Sequence, residues 1–447
     1  MRFPRPYALC VAAMLAGCQT PSPGVLDAGF TDAGRKADGG VPGDGGVGST
    51  LVTVVPVARV SGRPISITPV FIAWRSGDGA WTPLQAGADG GYSFEVTASD
   101  GRYALVLVCP PAVGNYTTLL SYAATAAEMP RVNADFCHPP ADYVESLVDE
   151  TLSTRAWPCS ATGVNASYGN GSALFNDPSM PLTQPATAGP HDVFAVAQHP
   201  AGTSFAPDAY LLLHDVSFTE MGSLELDFSA AVAPKNFQLT YGGLTAEDIV
   251  PFVDVALWTA RSFFSLGSGS GSGSLVHGMP PSALGPTDMH RLMVGSGGPD
   301  AKQRSAFRFV TSPVDTTLTP PPFLTSATMT AVATAPYVRP AFTWDGAPSG
   351  SAFFSFVSQG TRSWYSYVTP GGLAGARTLA MPDLSTVAGW DNGWGFVTGV
   401  TADFSLAALS GSASFDLLLH GFMFQNLPEL PAAMDGFVSL RHAKAEL

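Results

Sequence analysis

The sequence predicts an all-β protein, with tandem β-sandwich domains behind a disordered Gly/Asp/Ala-rich linker. Three observations predict this class. Charged residues make up only 13% of the 447 residues, whereas Gly (48) and Pro (38) punctuate the chain. Runs rich in Val, Thr, Ser and aromatic residues lie between these breaks. Helix formers repeating every 3.6 residues are scarce. Short β-branched and aromatic runs between frequent turn residues are the pattern of all-β architecture.

The first residues follow a different logic. Met1-Arg2-Phe3-Pro4-Arg5-Pro6 carries two positive charges, an apolar run extends from Tyr7 to Ala16, and Gly17-Cys18 closes it. A basic start, an apolar core of roughly ten residues and a small-residue cleavage point make residues 1–17 a predicted secretory signal peptide. The run is shorter than the ~20 apolar residues a spanning helix needs. Leu15-Ala16-Gly17-Cys18 resembles the lipobox of bacterial lipoproteins. That resemblance implies cleavage before Cys18, acylation of its thiol and attachment to a membrane through lipid. Because Gln19 and not Asp follows, it also implies the outer membrane of the cell envelope. Each buried CH₂ of an acyl chain contributes about 0.8 kcal/mol, so two or three chains anchor a protein stably.

Residues 18–50 form the expected linker. Asp27-Ala28-Gly29-Phe30-Thr31-Asp32-Ala33-Gly34, Asp38-Gly39-Gly40 and Gly43-Asp44-Gly45-Gly46 hold almost no large apolar side chains. Such a segment cannot bury enough surface to offset its ordering entropy, which predicts a disordered tether. Calcium loops of the EF-hand type end on a bidentate Glu, and no Glu occurs from Gln19 to Thr50.

The body divides on composition into a β-sandwich at 51–140, a second β-rich domain at 141–322 and a C-terminal β-rich domain at 323–447. Leu51–Val57 and Ile65–Trp74 read as the opening strands. Asp89-Gly90-Gly91-Tyr92-Ser93-Phe94-Glu95-Val96 and Asp100-Gly101-Arg102-Tyr103-Ala104-Leu105-Val106-Leu107-Val108 are two glycine-led turns, each launching a Tyr-containing alternating strand. The pair predicts a hairpin. It resembles the carboxypeptidase-regulatory-like β-sandwich, which implies a prealbumin-like fold used for structure or binding, without catalysis. A generic immunoglobulin-like sandwich is the alternative.

Residues 141–156 predict a short helix, with an interdomain linker as the alternative. Strands are expected at Val193–Gln198, Ala209–Phe218, Ser223–Phe228 and Phe237–Tyr241, and over most of Ile249–Phe264. The Gly-Ser run 267–274 reads as a flexible loop joining two strands, and Pro320-Pro321-Pro322 as a boundary. Phe353–Val357, Trp364–Val368, Trp394–Phe404 and Phe415–Phe424 complete the set. Leu211-Leu212-Leu213-His214 and Leu417-Leu418-Leu419-His420 echo each other, as duplication of a sandwich would produce.

Net charge is −14, and −16 once Arg2 and Arg5 leave with the signal peptide, with 19 basic side chains against 35 acidic. With no basic stripe, nucleic acid is not an expected partner. Of five cysteines, Cys10 belongs to the signal peptide and Cys18 to the lipid anchor, leaving Cys109, Cys137 and Cys159. An oxidising compartment allows one bond among three thiols. Cys109–Cys137 is favoured, because Cys109 ends a strand-like run and Cys137 follows another segment. Closing that loop contributes about 3–4 kcal/mol on the chain-entropy model. Cys137–Cys159 is the runner-up.

Motifs for catalysis are missing. No Gly-x-Ser-x-Gly occurs, the nearest approach being Gly202-Thr203-Ser204-Phe205-Ala206, and no His-Glu-x-x-His occurs. His138, His191, His199, His214, His277, His290, His420 and His442 are scattered. His191 and His199 flank a strand-like run, from which either could meet a carboxylate across a sheet. No metal or cofactor is expected. The one chemical hint is aromatic: Trp364, Tyr365 and Tyr367, with Trp390, Asp391, Asn392 and Trp394, make a candidate glycan patch. Packing in a sandwich core or pinning a loop is the competing use of such rings. The expected function is a membrane-anchored, extracytoplasmic lipoprotein in a non-catalytic structural, adhesive or envelope-assembly role, its partners an envelope protein or glycan. A carbohydrate-binding lipoprotein and a β-rich hydrolase with a site assembled from distant residues are the alternatives.

Overall fold

A computed structural model describes residues 50–447 apart from 61–62, 89, 113, 115, 169–170, 202–203 and 413–433. Cys18, the signal peptide, the linker and Leu417–His420 lie outside the described residues, as does the strand expected at Phe415–Phe424. The described chain is all-β.

The first segment supplies β1 (Thr50–Val60), β2 (Arg63–Ser66), β3 (Phe71–Ser76), β4 (Thr82–Pro83), β5 (Tyr92–Val96), β6 (Arg102–Val108), β7 (Thr117–Thr125) and β8 (Arg131–Cys137). β1 pairs antiparallel with β2 and β5 and parallel with β8. β6 pairs with β3 and β7, and β4 flanks β3. Alternation directs Val52, Val54, Phe94, Val96, Leu105, Leu107 and Leu120 into the space between these two layers.

The two Tyr-containing runs are not a hairpin, because β5 belongs to one layer and β6 to the other. The amides of Thr97 and Ala98 donate to Ser76 Oγ at 2.9 and 2.8 Å, and Gly101 turns at φ +68°. The connector therefore arches over the sandwich edge, and Phe94 meets Tyr103 across the core at 5.3 Å. Cys109 and Cys137 form the disulfide, with Cα atoms 5.4 Å apart. It ties the end of β6 to the end of β8, one from each layer. Cys159 is free and exposed, so the runner-up pairing is not formed.

The middle sandwich stacks β12 (Leu182–Thr187), β9 (Leu147–Arg155) and β15 (Gly222–Asp227) on β11 (Gly171–Phe175), β10 (Gly163–Tyr168), β13 (Gly189–Ala201) and β14 (Ser204–Phe218). The helix expected at 141–156 is largely β9. Val148, Glu150, Leu152 and Thr154 alternate inward, and that period of two decides the conformation over a composition compatible with helix.

Then follow β16 (Lys235–Tyr241), β17 (Val250–Trp258), β18 (Phe263–Ser270), β19 (Gly273–Gly278), β20 (Met289–Gly297), β21 (Lys302–Val310), β22 (Thr316–Leu318), β23 (Ser326–Ala333), β24 (Arg339–Asp345), β25 (Ala352–Gln359), β26 (Arg362–Val368), β27 (Thr378–Ala380), β28 (Thr401–Gly411) and β29 (Met434–Glu446). The Gly-Ser run is mostly strand and not a loop: β18 continues to Ser270 and β19 starts at Gly273. Small residues suit the close crossing there, since a Cβ on Gly269 would strike the Ser274 side chain. Within the strand expected at Trp394–Phe404, only the part from Thr401 is extended; Asn392–Trp394 is one 3₁₀ turn.

Among the described residues, twelve strands make one sheet, in the order β18-β17-β20-β21-β29-β28-β25-β26-β7-β6-β3-β4. It takes strands from the 51–140, 141–322 and 323–447 segments alike. One face carries a single cluster from Phe307 and Trp258 through Phe354 to Leu105. The other is covered at one end by β23-β24-β27, over Phe353, Trp364 and Phe404, and at the other by β19-β16-β22, over Val255, Leu292 and Ala306. Phe194 and Tyr210 of β13 and β14 join the latter cluster, so the sheet that includes them buries both faces.

The parallel pairing of β7 with β26, from Thr117↔Arg362 to Ala123↔Val368, joins the first and last segments. Trp364 Nε1 donates to Ser121 Oγ at 2.8 Å, and Tyr122 stacks on Tyr367 at 4.8 Å. At the end of the seam, Glu128 accepts from the Thr369 hydroxyl (2.6 Å) and the Gly371 amide (2.9 Å). Burial pushes the Glu128 carboxyl up, but these donors and those of Thr125 outweigh it and hold it below the usual range. The turn Pro370–Leu373 can approach β7 only because Gly372 lacks a Cβ, which would lie against the Ala123 carbonyl. Gly372→Ala should therefore lower stability by about 1–3 kcal/mol in chemical denaturation; an unchanged midpoint would mean that this turn does not rest on β7.

Candidate functional site

The aromatic residues singled out from sequence do not converge. Trp364 faces the cluster under β23-β24-β27, whereas Tyr365 and Tyr367 point to the opposite side of the same sheet. That is the consequence of a strand's two-residue period. Trp364 and Tyr367 are 0% and 3% exposed, so neither can meet a ligand at the surface. Trp390 and Trp394 are half-buried and pack edge-to-face on each other at 5.4 Å. Phe71 touches both rings, at 5.4 and 5.8 Å. Asp391 and Asn392 are exposed, but their side chains are engaged in the turn: Asp391 Oδ1 accepts the Gly393 amide (2.8 Å) and Asn392 Oδ1 accepts Trp390 Nε1 (3.2 Å). This group pins a loop to the sheet. The seven residues are not one patch.

Buried polar chemistry gathers instead around the middle of the chain. Arg304 on β21 reaches Asp248 through Nε (3.0 Å) and a terminal nitrogen, and also bonds the carbonyls of Gly243 (3.0 Å) and Pro321 (3.2 Å). Tyr241 donates to Asp248 Oδ1 at 2.8 Å. Burial pushes the Asp248 carboxyl up, but the Arg304 guanidinium and the donors around it prevail and hold it far below the carboxylate range. The guanidinium lies 4.9 Å from the Phe323 ring. The pair is geometrically satisfied, and it fastens the 242–248 loop and the Pro320–Pro322 run to the long sheet. Its role is architectural.

A second cluster lies where β13 and β14 meet the loop before β20. Their register breaks between His191↔Val216 and Val193↔Leu213, so Asp192 opposes both His214 and Asp215. Such a bulge re-aims side chains. Asp215 takes φ +54° and donates its amide to Asp192 Oδ1 at 3.1 Å. His214 Nδ1 lies 3.5 Å from Asp192 Oδ1, and Nε2 lies 3.2 Å from Asp288 Oδ2. Asp288 also accepts the Gly285 amide at 2.7 Å. Burial pushes the Asp288 carboxyl up, and the nearby Asp192 adds to the effect.

Sequence reasoning missed this cluster, although the repeated dipeptides His191-Asp192 and His214-Asp215 on two expected strands were a usable signal. Nothing local marked Asp288. Of the two histidines flanking the β13 run, His199 does meet a carboxylate across the hairpin, Asp208 at 2.9 Å. His191 contacts the Thr187 carbonyl (2.6 Å) and the Phe218 ring. Among the described residues, no group of three or more His, Cys, Asp or Glu is arranged to hold a metal ion.

Glu150 is the third buried polar feature. It is 3% exposed, faces the middle sandwich core, and its Oε2 has no hydrogen-bond partner. A Cβ on Gly222, its neighbour in register, would strike that oxygen.

Comparison with protein-family models and with curated proteins finds no match. Similar solved structures include a candidate adhesin from Bacteroides ovatus ATCC 8483, 12% identical, with a TM-score of 0.15, covering 40% of this chain and 91% of that one. A second is a Ca2+-stabilized adhesin that helps an Antarctic bacterium reach out and bind ice, 10% identical, with a TM-score of 0.15, covering 81% of this chain and 95% of that one. At these scores neither likeness carries an argument.

Burial pushes the Glu150 carboxyl up, offset in part by the Thr219 amide. A raised native value means stability is fully present below the unfolded value and is lost as pH rises through the native one. Glu150→Gln is therefore expected to stabilise the protein at pH above the native transition by about 1–3 kcal/mol and to have little effect in acid. Urea unfolding at both ends of the range checks this; an equal gain at each end would contradict it.

Proposed function

We propose that the chain is a lipid-anchored, extracytoplasmic protein with a non-catalytic structural or adhesive role. The observation that carries this reading is Leu15-Ala16-Gly17-Cys18 directly behind a basic and then apolar start. The Cys109–Cys137 disulfide supports it, because such bonds persist in oxidising compartments. The body is consistent with a structural role, its long sheet being shared by distant segments of the chain. On this reading residues 18–50 are a tether that holds the body off the membrane, and the partner is another envelope component.

The membrane attachment follows from acyl chemistry at one thiol. Expression of the full chain with labelled palmitate should place label on the wild type, in the outer-membrane fraction, and none on Cys18→Ala, which should be recovered without membrane. Mass spectrometry showing residues 1–17 still attached and no acyl mass would refute the proposal.

A further inference from the structure

The bulge between β13 and β14 places one imidazole between two buried carboxylates that belong to different parts of the fold. Asp192 and Asp288 are each 2% exposed at the side chain, whereas His214 is 36% exposed and open to exchange with water. Asp192 is on β13, His214 on β14, and Asp288 at the end of the segment joining β19 to β20. Asp215, beside His214, turns away to pair with Arg261 on the β17–β18 turn. Among the described residues, Asp192 and Asp288 are the carboxylates at ion-pair distance from the ring.

Counting protons fixes what the arrangement needs. Each ring nitrogen lies at ion-pair distance from a carboxylate, so the ring attracts both only when it carries its second proton. Satisfying both contacts takes one proton more than two carboxylates and a neutral imidazole hold. The extra proton can sit on the ring or on Asp288, and it belongs to the cluster rather than to one side chain. Asp192 Oδ2 is buried and has no hydrogen-bond partner.

We infer that Asp192, His214 and Asp288 form a proton-dependent latch that holds the 281–288 segment against the bulged β13–β14 hairpin. Closed, it joins the middle sandwich to the strand β20 of the long sheet. With rising pH the extra proton leaves, Asp288 faces Asp192 across an unprotonated contact, and the segment loosens. The sign follows from linkage at Asp288: burial keeps its carboxyl protonated to higher pH in the native chain than in the unfolded one, so the contribution falls as pH rises.

The test is amide hydrogen exchange of the full chain in detergent, read by mass spectrometry over residues 281–288 and corrected for intrinsic rates. From about pH 5 to about pH 9, protection there should fall by about tenfold for each unit by which the cluster's proton affinity exceeds that of the unfolded chain. Asp288→Asn should abolish this pH dependence, whereas His214→Gln, which leaves the Asp288 carboxyl buried near Asp192, should lower protection in acid as well. The wild type also decides alone: the ¹³Cγ signal of Asp288 should titrate at higher pH in the native chain than in urea. Protection independent of pH, the same dependence in Asp288→Asn, or identical titration of Asp288 in native and unfolded chains would overturn the latch.

Discussion

The pairing of β7 with β26 is the contact on which the rest of the architecture depends. It is parallel, and about 245 residues separate its partners. Without it the long sheet would fall into a strip from the first segment and a strip from the later ones, each with an open edge. Open edges expose unpaired amides and carbonyls and invite association, so closing this seam does more than add hydrogen bonds. The pairing also aligns the apolar faces on either side, so that Tyr122 meets Tyr367 and Phe136 meets Phe354 in one cluster. Closing a loop of this length costs entropy that grows only logarithmically, and the buried rings on both faces offset it.

Side chains at the seam explain its specificity. Trp364 is buried under β23-β24-β27 with its indole N–H committed to Ser121. Glu128 collects donors from both segments, so a carboxylate that burial alone would disfavour becomes a clamp. Arg304 plays the same part elsewhere, holding loops that would otherwise leave the sheet. In each case the polar group sits where two stretches of chain must stay in register.

Much of this was legible in the sequence. Alternation in Tyr92–Val96 and Arg102–Val108 located strands, and the strand-like run ending at Cys109 favoured the Cys109–Cys137 pair that is formed. Pairing was not legible. Nothing in Asp100-Gly101 distinguishes a hairpin turn from an arch between layers; the hydroxyl of Ser76, far upstream, makes the difference. Composition misled at the Gly-Ser run, where small side chains serve a close strand crossing. It misled again at β9, where charged residues hid an alternating strand. The aromatic residues looked like a patch because they are near in sequence, but neighbours on a strand face opposite ways. The Asp192–His214–Asp288 cluster depends on a bulge and on a loop 73 residues beyond Asp215, and no local pattern carries such a contact.

If the seam makes the body one unit, the amides on its two sides must open together. Native-state hydrogen exchange in rising denaturant measures this directly on 117–123 and 362–368. The account predicts a single shared opening free energy for both stretches, equal to that of global unfolding. If β7 and its neighbours exchange through a separate, lower-energy opening while β26 stays protected, the two segments are independent and the account is wrong.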